Sequence, residues 1–139
     1  MSVAVIVDTN VVVAGLITST VDSPVVRVLD GMLEARFPCV ISELLLQEYR
    51  RVLLRPKIAR LHGLTPMEVD GLMLEIAHHA IVLTTVPAPP APDPGDQHLW
   101  ALLAARPDLI LVTGDKRLVT HASMLGRVCS PGDFLSRTD

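Results

Sequence analysis

The opening apolar run, Val3-Ala4-Val5-Ile6-Val7, most constrains the fold of this chain. It is continuous and rich in β-branched residues, whereas a strand with one solvent-facing side alternates apolar and polar residues. A continuous run is typical of a strand that is buried on both faces of a parallel sheet. Because parallel strands need long crossover connections, which are usually helical, the run predicts a chain in which strands alternate with helices.

The rest of the sequence continues this alternation. Further strands are predicted on short apolar runs at Phe37–Ile41, Ala80–Leu83, Leu109–Val112 and, for a last short strand, Arg127–Ser130. Helices are predicted where start signals precede apolar residues at helical spacing, and they begin near Asp8, Pro24, Ser42, Thr65 and Asp93, with a terminal helical turn from Pro131. The pattern predicts an α/β fold with a mainly parallel sheet of four or five strands, flanked by helices on both faces.

Length and composition favour one folded domain spanning residues 1–139. Half of the residues are hydrophobic and 19% are charged, which excludes a disordered chain. Five of the nine residues from Val86 to Pro94 are proline, so residues 86–94 are expected to form a stiff loop inside the domain. With one Trp, one Tyr and two Phe, the chain lacks the aromatic platforms that bind single-stranded nucleic acid.

The cysteines and the hydropathy of the sequence indicate the cellular compartment of the protein. Cys39 and Cys129 lie in or beside short apolar runs, without Cys-x-x-Cys spacing and without the signal peptide of a secreted scaffold. No apolar run reaches the roughly 20 residues needed to span a bilayer. We therefore expect buried, unreactive thiols, no membrane segment and a cytoplasmic protein.

Three acidic residues are predicted to converge at one edge of the sheet. Asp8 directly follows the first strand, Asp115 follows the strand at Leu109–Val112, and the helix that begins near Asp93 starts at the same edge. Asp96, at about the third position of that helix, continues its apolar stripe and is expected to point inward. Taken alone, the acids at 93 and 96 are also explained as a helix cap and a charge that complements the helix dipole.

A fourth acid, Glu48, borders the apolar face of the helix that follows Ser42. Glu43 is the competing choice, and a surface ion pair with Arg51 is the simpler explanation of Glu48. Crowded carboxylates raise one another's pKa unless a cation neutralises them. Oxygen ligands without a cluster of Cys or His favour Mg²⁺ or Mn²⁺ over Zn²⁺. A divalent cation is therefore the expected partner of these acids.

The five histidines are scattered along the chain, and none is assigned as a ligand. His98 lies two residues from Asp96 and is expected to point away from it on a helix. The two His residues at 78 and 79 lie near the C-terminal end of a predicted helix, where their side chains interact favourably with the helix dipole.

Basic residues cluster in one segment in spite of the formal net charge of −3. Between positions 43 and 60 there are five basic and two acidic residues. The candidate phosphate contacts are Arg50, Arg51 and Arg55 in this segment, with Lys116 and Arg117 beside the last acid. A solvated helix face explains the basic segment equally well.

The ordered motifs resemble those of the PIN-domain ribonucleases. They are Val7-Asp8-Thr9-Asn10-Val11, the segment from Ser42 to Leu53 that contains Glu48, Asp93-Pro94-Gly95-Asp96, and Val112-Thr113-Gly114-Asp115. The resemblance covers nearly the whole chain in the right order. It is greatest to the stand-alone bacterial PIN proteins classed as toxins of toxin-antitoxin pairs, which are similar to the VapC toxins.

The resemblance implies a single PIN-like domain and a metal-dependent ribonuclease. It implies that the metal, Mg²⁺ or Mn²⁺, is bound by Asp8, Glu48, Asp96 and Asp115, and that the supporting residues are Asn10, Thr113 and Asp93. It also implies hydrolysis of RNA phosphodiester bonds with water as the nucleophile. A small antitoxin that covers the acidic cleft and a homodimer are the partners that the resemblance implies.

Two other functions fit parts of the pattern. A phosphatase of the HAD type would use Asp8 as its nucleophile and Lys116 to bind phosphate, but that family has a second acid where this chain has Asn10. A non-catalytic PIN-like module that binds RNA or a partner protein requires only the fold. The presence of all four expected acids favours the ribonuclease.

Overall fold

A computed structural model of the chain describes residues 4–85, 87–121 and 126–138. Its strands form one five-stranded sheet, and they are β1 (Val5–Val7), β2 (Cys39–Ile41), β3 (Ala80–Val82), β4 (Ile110–Val112) and β5 (Val128–Cys129). The strand order is β3-β2-β1-β4-β5, and every neighbouring pair is parallel. The predicted α/β class and parallel sheet are confirmed.

The helices occupy the crossovers between strands. Those in the described residues are α1 (Thr9–Ile17), α2 (Pro24–Leu33), α3 (Glu43–Leu53), α4 (Pro56–His62), α5 (Pro66–His79), α6 (Gln97–Ala105), α7 (Lys116–Val119) and α8 (Pro131–Thr138). The chain leaves β1 toward β2 and β3, and then returns past β1 to β4 and β5. Because crossovers are right-handed, connections that run in opposite directions put helices on both faces of the sheet.

The strands are shorter than the apolar runs that predict them. Ala4 is buried but lies outside the ladder, and Val3 is outside the described residues. Phe37 and Pro38 precede β2, and Leu83 follows β3. Apolar burial extends beyond the residues that pair, because the core also covers the ends of strands. Among the described residues, the predicted first strand is therefore one residue too long at its amino end and the second strand two residues too long.

Capping side chains fix the ends of several helices. Ser42 Oγ accepts from the Leu45 amide at 3.1 Å and starts α3. At α5, Thr65 Oγ1 accepts from the Glu68 amide at 3.1 Å while the Glu68 carboxylate accepts from the Thr65 amide at 3.0 Å, so the N-terminus is a capping box. Both starts were predicted from the sequence.

Near the sheet edge, one local prediction was wrong and one helix was not predicted. Residues Pro94–Asp96 form a 3-10 turn, so Asp96 is the N-cap of α6 and not its third residue. The cause is Asp93, whose Oδ1 accepts from the Gly95 amide at 2.8 Å and tightens the chain before the α-helix starts. The short helix α7 was not predicted, and Asp115 caps it by accepting from the Arg117 amide at 2.9 Å.

The proline-rich segment has neither helix nor strand over residues 87–93, as predicted, whereas Val86 lies outside the described residues. Gln97 at the start of α6 holds this loop in place. Its Oε1 accepts from the Ala91 amide at 2.8 Å, and its Nε2 donates to the Pro89 carbonyl at 3.2 Å. One side chain thus supplies backbone partners to a segment whose prolines cannot donate.

The core lies between the sheet and its helices. All residues of β1 and β2 are buried, and the largest fully buried side chains include Trp100, Tyr49 and Phe134. Cys39 and Cys129 are buried free thiols, as predicted, and burial raises the pKa of Cys39 to about 12. Gly15 allows α1 to pack against α2, because a Cβ there would lie 2.9 Å from the Val25 carbonyl oxygen.

Within the described residues, none of the helices combines the length and the apolar character that a bilayer span requires.

Candidate metal centre

From β1 the chain adds β2 and β3 on one side of the sheet, and it then crosses back to add β4 and β5 on the other side of β1. The order of the strands therefore reverses between β1 and β4. In open α/β sheets, ligands bind beyond the carboxyl ends of the strands at such a reversal. Asp8 follows β1 and Thr113 follows β4, and the preceding residues, Val7 and Val112, are direct partners in the ladder. The sheet register therefore places these two polar side chains side by side at the point where a ligand is expected.

Hydrogen bonds join the residues at the ends of β1 and β4 into one network. Thr113 Oγ1 donates to Asp8 Oδ2 at 2.8 Å and accepts from the Asp115 amide at 3.0 Å. Asn10 Nδ2 lies 3.4 Å from Thr113 Oγ1 and 3.3 Å from Asp8 Oδ2, and Asn10 Oδ1 accepts from the Gly114 amide at 3.0 Å. The hydroxyl of Thr113 thus uses its one donor and both acceptor sites. The network fixes the orientation of Asp8, which is 6% exposed.

The carboxylate of Asp115 is paired with the side chain of Arg117. Arg117 Nη2 lies 3.1 Å from one carboxylate oxygen and Nε lies 3.3 Å from the other. This contact is the main reason that the pKa of Asp115 falls below its ordinary value. Asp115 is therefore the one of the four predicted acids whose charge is offset by an arginine contact in the described structure.

Glu48 reaches the same region from α3. The next residue, Tyr49, is completely buried, and its hydroxyl donates to the Val7 carbonyl at the end of β1. This bond ties α3 to the strand that carries Asp8. The sequence marks Tyr49 as part of the apolar face of the helix, but the partner of its hydroxyl depends on tertiary packing.

The partner of Glu48 is His98, and no ion pair with Arg51 is found among the described residues. Nε2 of His98 lies 2.6 Å from Oε2 of Glu48. The histidine lowers the pKa of Glu48 and is the largest influence on it, whereas the charge of Arg51 contributes less. The contact was not predicted from the sequence, because His98 and Glu48 lie on different helices that are far apart along the chain. The available signal was a histidine two residues from a predicted site acid.

Asp96 and Asp8 carry negative charge that the protein does not neutralise. Burial and the charges of Asp8, Asp93, Asp115 and Glu48 raise the pKa of Asp96 to about 6. Burial also raises the pKa of Asp8, against the lowering effect of the Thr113 hydrogen bond. Asp93 is exposed and caps the 3-10 turn, so it acts on the site through its charge.

All four predicted acids line one cavity of about 390 Å³. The lining residues are Asp8, Thr9, Asn10, Val13, Ala14, Glu48, Val52, Asp96 and Asp115. In the described part of the chain, no three His, Cys, Asp or Glu residues are close enough together to hold a bare ion. The acids surround a space instead of converging on a point.

The donor set fits a divalent cation that keeps part of its water shell. Mg²⁺ binds oxygen ligands and usually retains several waters, so it suits carboxylates spread around a cavity. One buried oxygen at this cavity, Thr9 Oγ1, has no hydrogen-bond partner among the described residues. An unpartnered buried oxygen and a carboxyl with a raised pKa are both expected where a cation is to bind.

The candidate RNA-contact residues differ in their availability. Arg50 is paired with Asp70 at 2.7 Å, and Arg117 is paired with Asp115. Arg51 is exposed one turn beyond Glu48, and Lys116 is exposed at the start of α7. Arg55 is exposed at the N-cap of α4. Arg51 and Lys116 thus lie next to two of the cavity acids in sequence and face solvent.

Comparison with known proteins agrees with this geometry. A family model described as PIN domain matches residues 4–117, which is most of the chain and includes all four acids. No curated protein matches the chain. PIN domains are generally metal-dependent nucleases that use divalent cations, and the parallel sheet with acids at the carboxyl ends of β1 and β4 has the corresponding architecture. The chain belongs to the PIN domain family.

Proposed function

We propose that this protein is a Mg²⁺- or Mn²⁺-dependent endoribonuclease that hydrolyses RNA phosphodiester bonds. The observation that carries the proposal is the cavity at the strand reversal, which is lined by Asp8, Glu48, Asp96 and Asp115. Burial and, after it, the charges of the neighbouring acids raise the pKa of Asp96 to about 6, and a bound cation would offset both effects. Membership of a nuclease family supports the same function.

Some residues at the cavity would bind the cation, and others would orient the carboxylates that bind it. The four acids would hold the cation, and Thr113 and Asn10 would keep Asp8 in a fixed orientation through their hydrogen bonds. When bound, the cation would lower the pKa of water and stabilise the charge that develops on the phosphate. Asp93 would hold the turn on which Asp96 sits, since it accepts from the Gly95 amide.

RNA would approach the cavity over the exposed basic side chains beside it. Arg51 and Lys116 are the strongest candidates, because each is exposed and close in sequence to a cavity acid. Arg55 and Arg117 would extend this contact, with Arg117 exchanging Asp115 for phosphate. Arg50 would contribute less because Asp70 already binds its guanidinium. Contacts of this kind position a phosphate backbone without selecting a base sequence.

We further propose that the protein is the toxin of a toxin-antitoxin pair, that it acts in the cytoplasm and that it forms a homodimer. The resemblance of the four motifs to the stand-alone bacterial toxins supports this. The two free thiols suit a reducing compartment. A cognate antitoxin would cover the acidic cavity, and cationic side chains on it would offset the same excess of negative charge that attracts a metal ion.

The nuclease proposal is tested by incubating mixed cellular RNA with the purified protein in Mg²⁺, in Mn²⁺ or in EDTA. Cleavage is expected in either metal and none in EDTA, with loss of cleavage in Asp8→Asn and Glu48→Gln. Arg36→Gln is the matched control, because Arg36 precedes β2 and lies at the opposite edge of the sheet. If the wild type binds Mn²⁺ and RNA but leaves RNA intact, the non-catalytic module replaces the nuclease.

The RNA-contact proposal is tested by fluorescence anisotropy of a single-stranded RNA with Asp8→Asn protein, which prevents turnover. Adding Arg51→Gln and Lys116→Gln should weaken binding and reduce the slope of log affinity against log salt by about 0.7 for each lost phosphate contact. Adding Arg36→Gln should change neither quantity. An unchanged slope in the first pair would place the RNA elsewhere on the protein.

The toxin proposal is tested by induced expression in a bacterial host. Wild-type protein should arrest growth, while Asp8→Asn at the same expression level should not. Growth arrest by both proteins would separate toxicity from metal-dependent cleavage, and growth with both would contradict the toxin proposal.

A further inference from the structure

The contact between His98 and Glu48 links two segments of the metal centre that are distant in sequence. His98 is the second residue of α6, directly after the turn that carries Asp96, and Glu48 lies on α3. Their side chains are 15% and 22% exposed, so the contact is shielded from bulk water. None of the roles given above to the cavity residues accounts for a histidine at this position.

The carboxylates of Glu48 and Asp8 have different partners. The Glu48 carboxylate has Nε2 of His98 at 2.6 Å, whereas the Asp8 carboxylate accepts from the hydroxyl of Thr113 at 2.8 Å. His98 is therefore placed at Glu48 as Thr113 is at Asp8, where it can fix the orientation of the carboxylate.

The geometry leaves the carboxylate open to a further ligand. His98 Nε2 lies 2.6 Å from one oxygen of the Glu48 carboxylate, Oε2, and an ionised carboxylate has about four acceptor sites, so the contact leaves sites free for a cation. Nδ1 of His98 is buried without a hydrogen-bond partner among the described residues.

We propose that His98 is a positioning residue of the metal centre, which holds the Glu48 carboxylate toward the cavity so that the carboxylate binds the cation. The inference rests on the proposed metal site and deepens it. Outer partners of metal ligands fix ligand orientation in this way, and their removal costs about 10- to 100-fold in metal affinity. His98 also joins α6 to α3, so the turn that carries Asp96 and the helix that carries Glu48 are held at a fixed separation.

The test is Mn²⁺ affinity of the metal-free protein, measured by isothermal titration calorimetry and by the free Mn²⁺ signal in electron paramagnetic resonance. His98→Leu, which removes the donor, should weaken Mn²⁺ binding about 10- to 100-fold. His98→Gln places an amide N–H near the position of Nε2 and should retain most of the affinity. Thermal melting of each variant distinguishes loss of the fold from loss of positioning, because a purely structural role would lower the melting temperature in both variants alike.

The matched control is His79→Leu. His79 lies 3.9 Å from Glu75 at the end of α5, where the chain enters β3, so it forms a similar pair at the opposite edge of the sheet. This variant should bind Mn²⁺ as the wild type does.

A double-mutant cycle shows whether His98 acts through Glu48. In a Glu48→Gln background, His98→Leu should cause no further loss of Mn²⁺ affinity. A loss of the same size in both backgrounds would make His98 a direct ligand and overturn the positioning role. Wild-type affinity in His98→Leu would also overturn the inference while leaving the proposed function intact. If the wild type itself binds no Mn²⁺, the metal site and this inference fall together.

Discussion

The two sides of the metal centre are built in different ways. On the strand side, which comprises Asp8, Asn10, Thr113 and Asp115, the acids follow neighbouring parallel strands and are joined by hydrogen bonds between residues at the strand ends. On the helix side, which comprises Glu48, Asp96 and His98, the groups come from α3 and from the start of α6, and one contact between helices joins them.

The positions of the side chains are therefore fixed by different interactions on the two sides of the site. The strand side is fixed by the sheet register, because a slip of one residue would turn every side chain of the strand to the opposite face of the sheet. The helix side is fixed by side-chain packing, through the Tyr49 hydroxyl and the His98 imidazole. We therefore expect substitutions on the strand side to cost more than those on the helix side.

The largest effect is expected for Asp8→Asn. Loss of this charge should lower RNA cleavage by at least about 100-fold, or about 2.7 kcal/mol of transition-state stabilisation. The substitution should not destabilise the folded protein, because burial raises the pKa of Asp8 and so disfavours its charged form there. The free energy of unfolding at neutral pH, measured by urea denaturation without metal, should therefore rise. A fall in both activity and stability would show that the charge supports the fold.

Thr113→Val should have the next largest effect. The substitution keeps the shape of a completely buried side chain but leaves the Asp115 amide without its acceptor and Asp8 without its donor. We expect about 1 to 3 kcal/mol lower stability and about 10- to 100-fold weaker Mn²⁺ binding, measured by denaturation and calorimetry. Thr113→Ser keeps the hydroxyl and is the control. Equal behaviour of the two variants would mean that the network does not orient Asp8.

A smaller, pH-dependent effect is expected at Asp96 in the metal-free protein. Because its pKa is raised from 3.8 to about 6, the folded protein favours the protonated carboxyl. Its stabilising contribution is present below the lower value and is lost as the pH rises through the upper one. Asp96 is only partly buried, and solvent screens its charge, so the loss should stay below about 1 kcal/mol.

The comparison that isolates this effect is the melting temperature of the wild type against Asp96→Asn in EDTA. The wild type should lose stability relative to the variant as the pH rises from about 4 to about 7, because the pKa of Asp96 in the folded protein is about 6. Saturating Mg²⁺ should reverse the loss, because the cation favours the ionised carboxyl. An equal difference in melting temperature at both pH values would mean that the pKa of Asp96 is not raised.

The smallest effect on Mn²⁺ affinity is expected for Tyr49→Phe. The ring stays packed in the core, but the Val7 carbonyl loses the hydroxyl that ties α3 to β1. We expect about 1 kcal/mol lower stability and a loss of Mn²⁺ affinity of less than about tenfold. A loss as large as that of Thr113→Val would show that the helix side depends on one hydrogen bond as strongly as the strand side depends on its network.

The same difference explains what could be predicted from the sequence. Continuous β-branched runs followed by Asp8 and by Thr113-Gly114-Asp115 locate the strand side, because a parallel sheet brings the carboxyl ends of its strands to one edge. The turn before α6 and the short helix α7 could not be predicted in the same way, because both depend on capping by single aspartates, Asp93 and Asp115.

The helix side was only half predictable. The position of Glu48 beside an apolar helix face was visible from periodicity, but its contact with His98 joins residues fifty positions apart on different helices. A periodic pattern specifies which face of a helix is buried and not which helix it meets. The hydroxyl of Tyr49 illustrates the same limit, since the sequence places its ring in the core without naming its partner.

The most direct test of the central claim is the anomalous diffraction of crystals soaked in Mn²⁺. We predict an anomalous peak in the cavity between Asp8, Glu48, Asp96 and Asp115, within bonding or water-bridged distance of their oxygens. Crystals of Asp8→Asn should show no such peak. An empty cavity in the wild type at saturating Mn²⁺, or a peak only at some other site, would contradict the claim that these four acids form a metal centre.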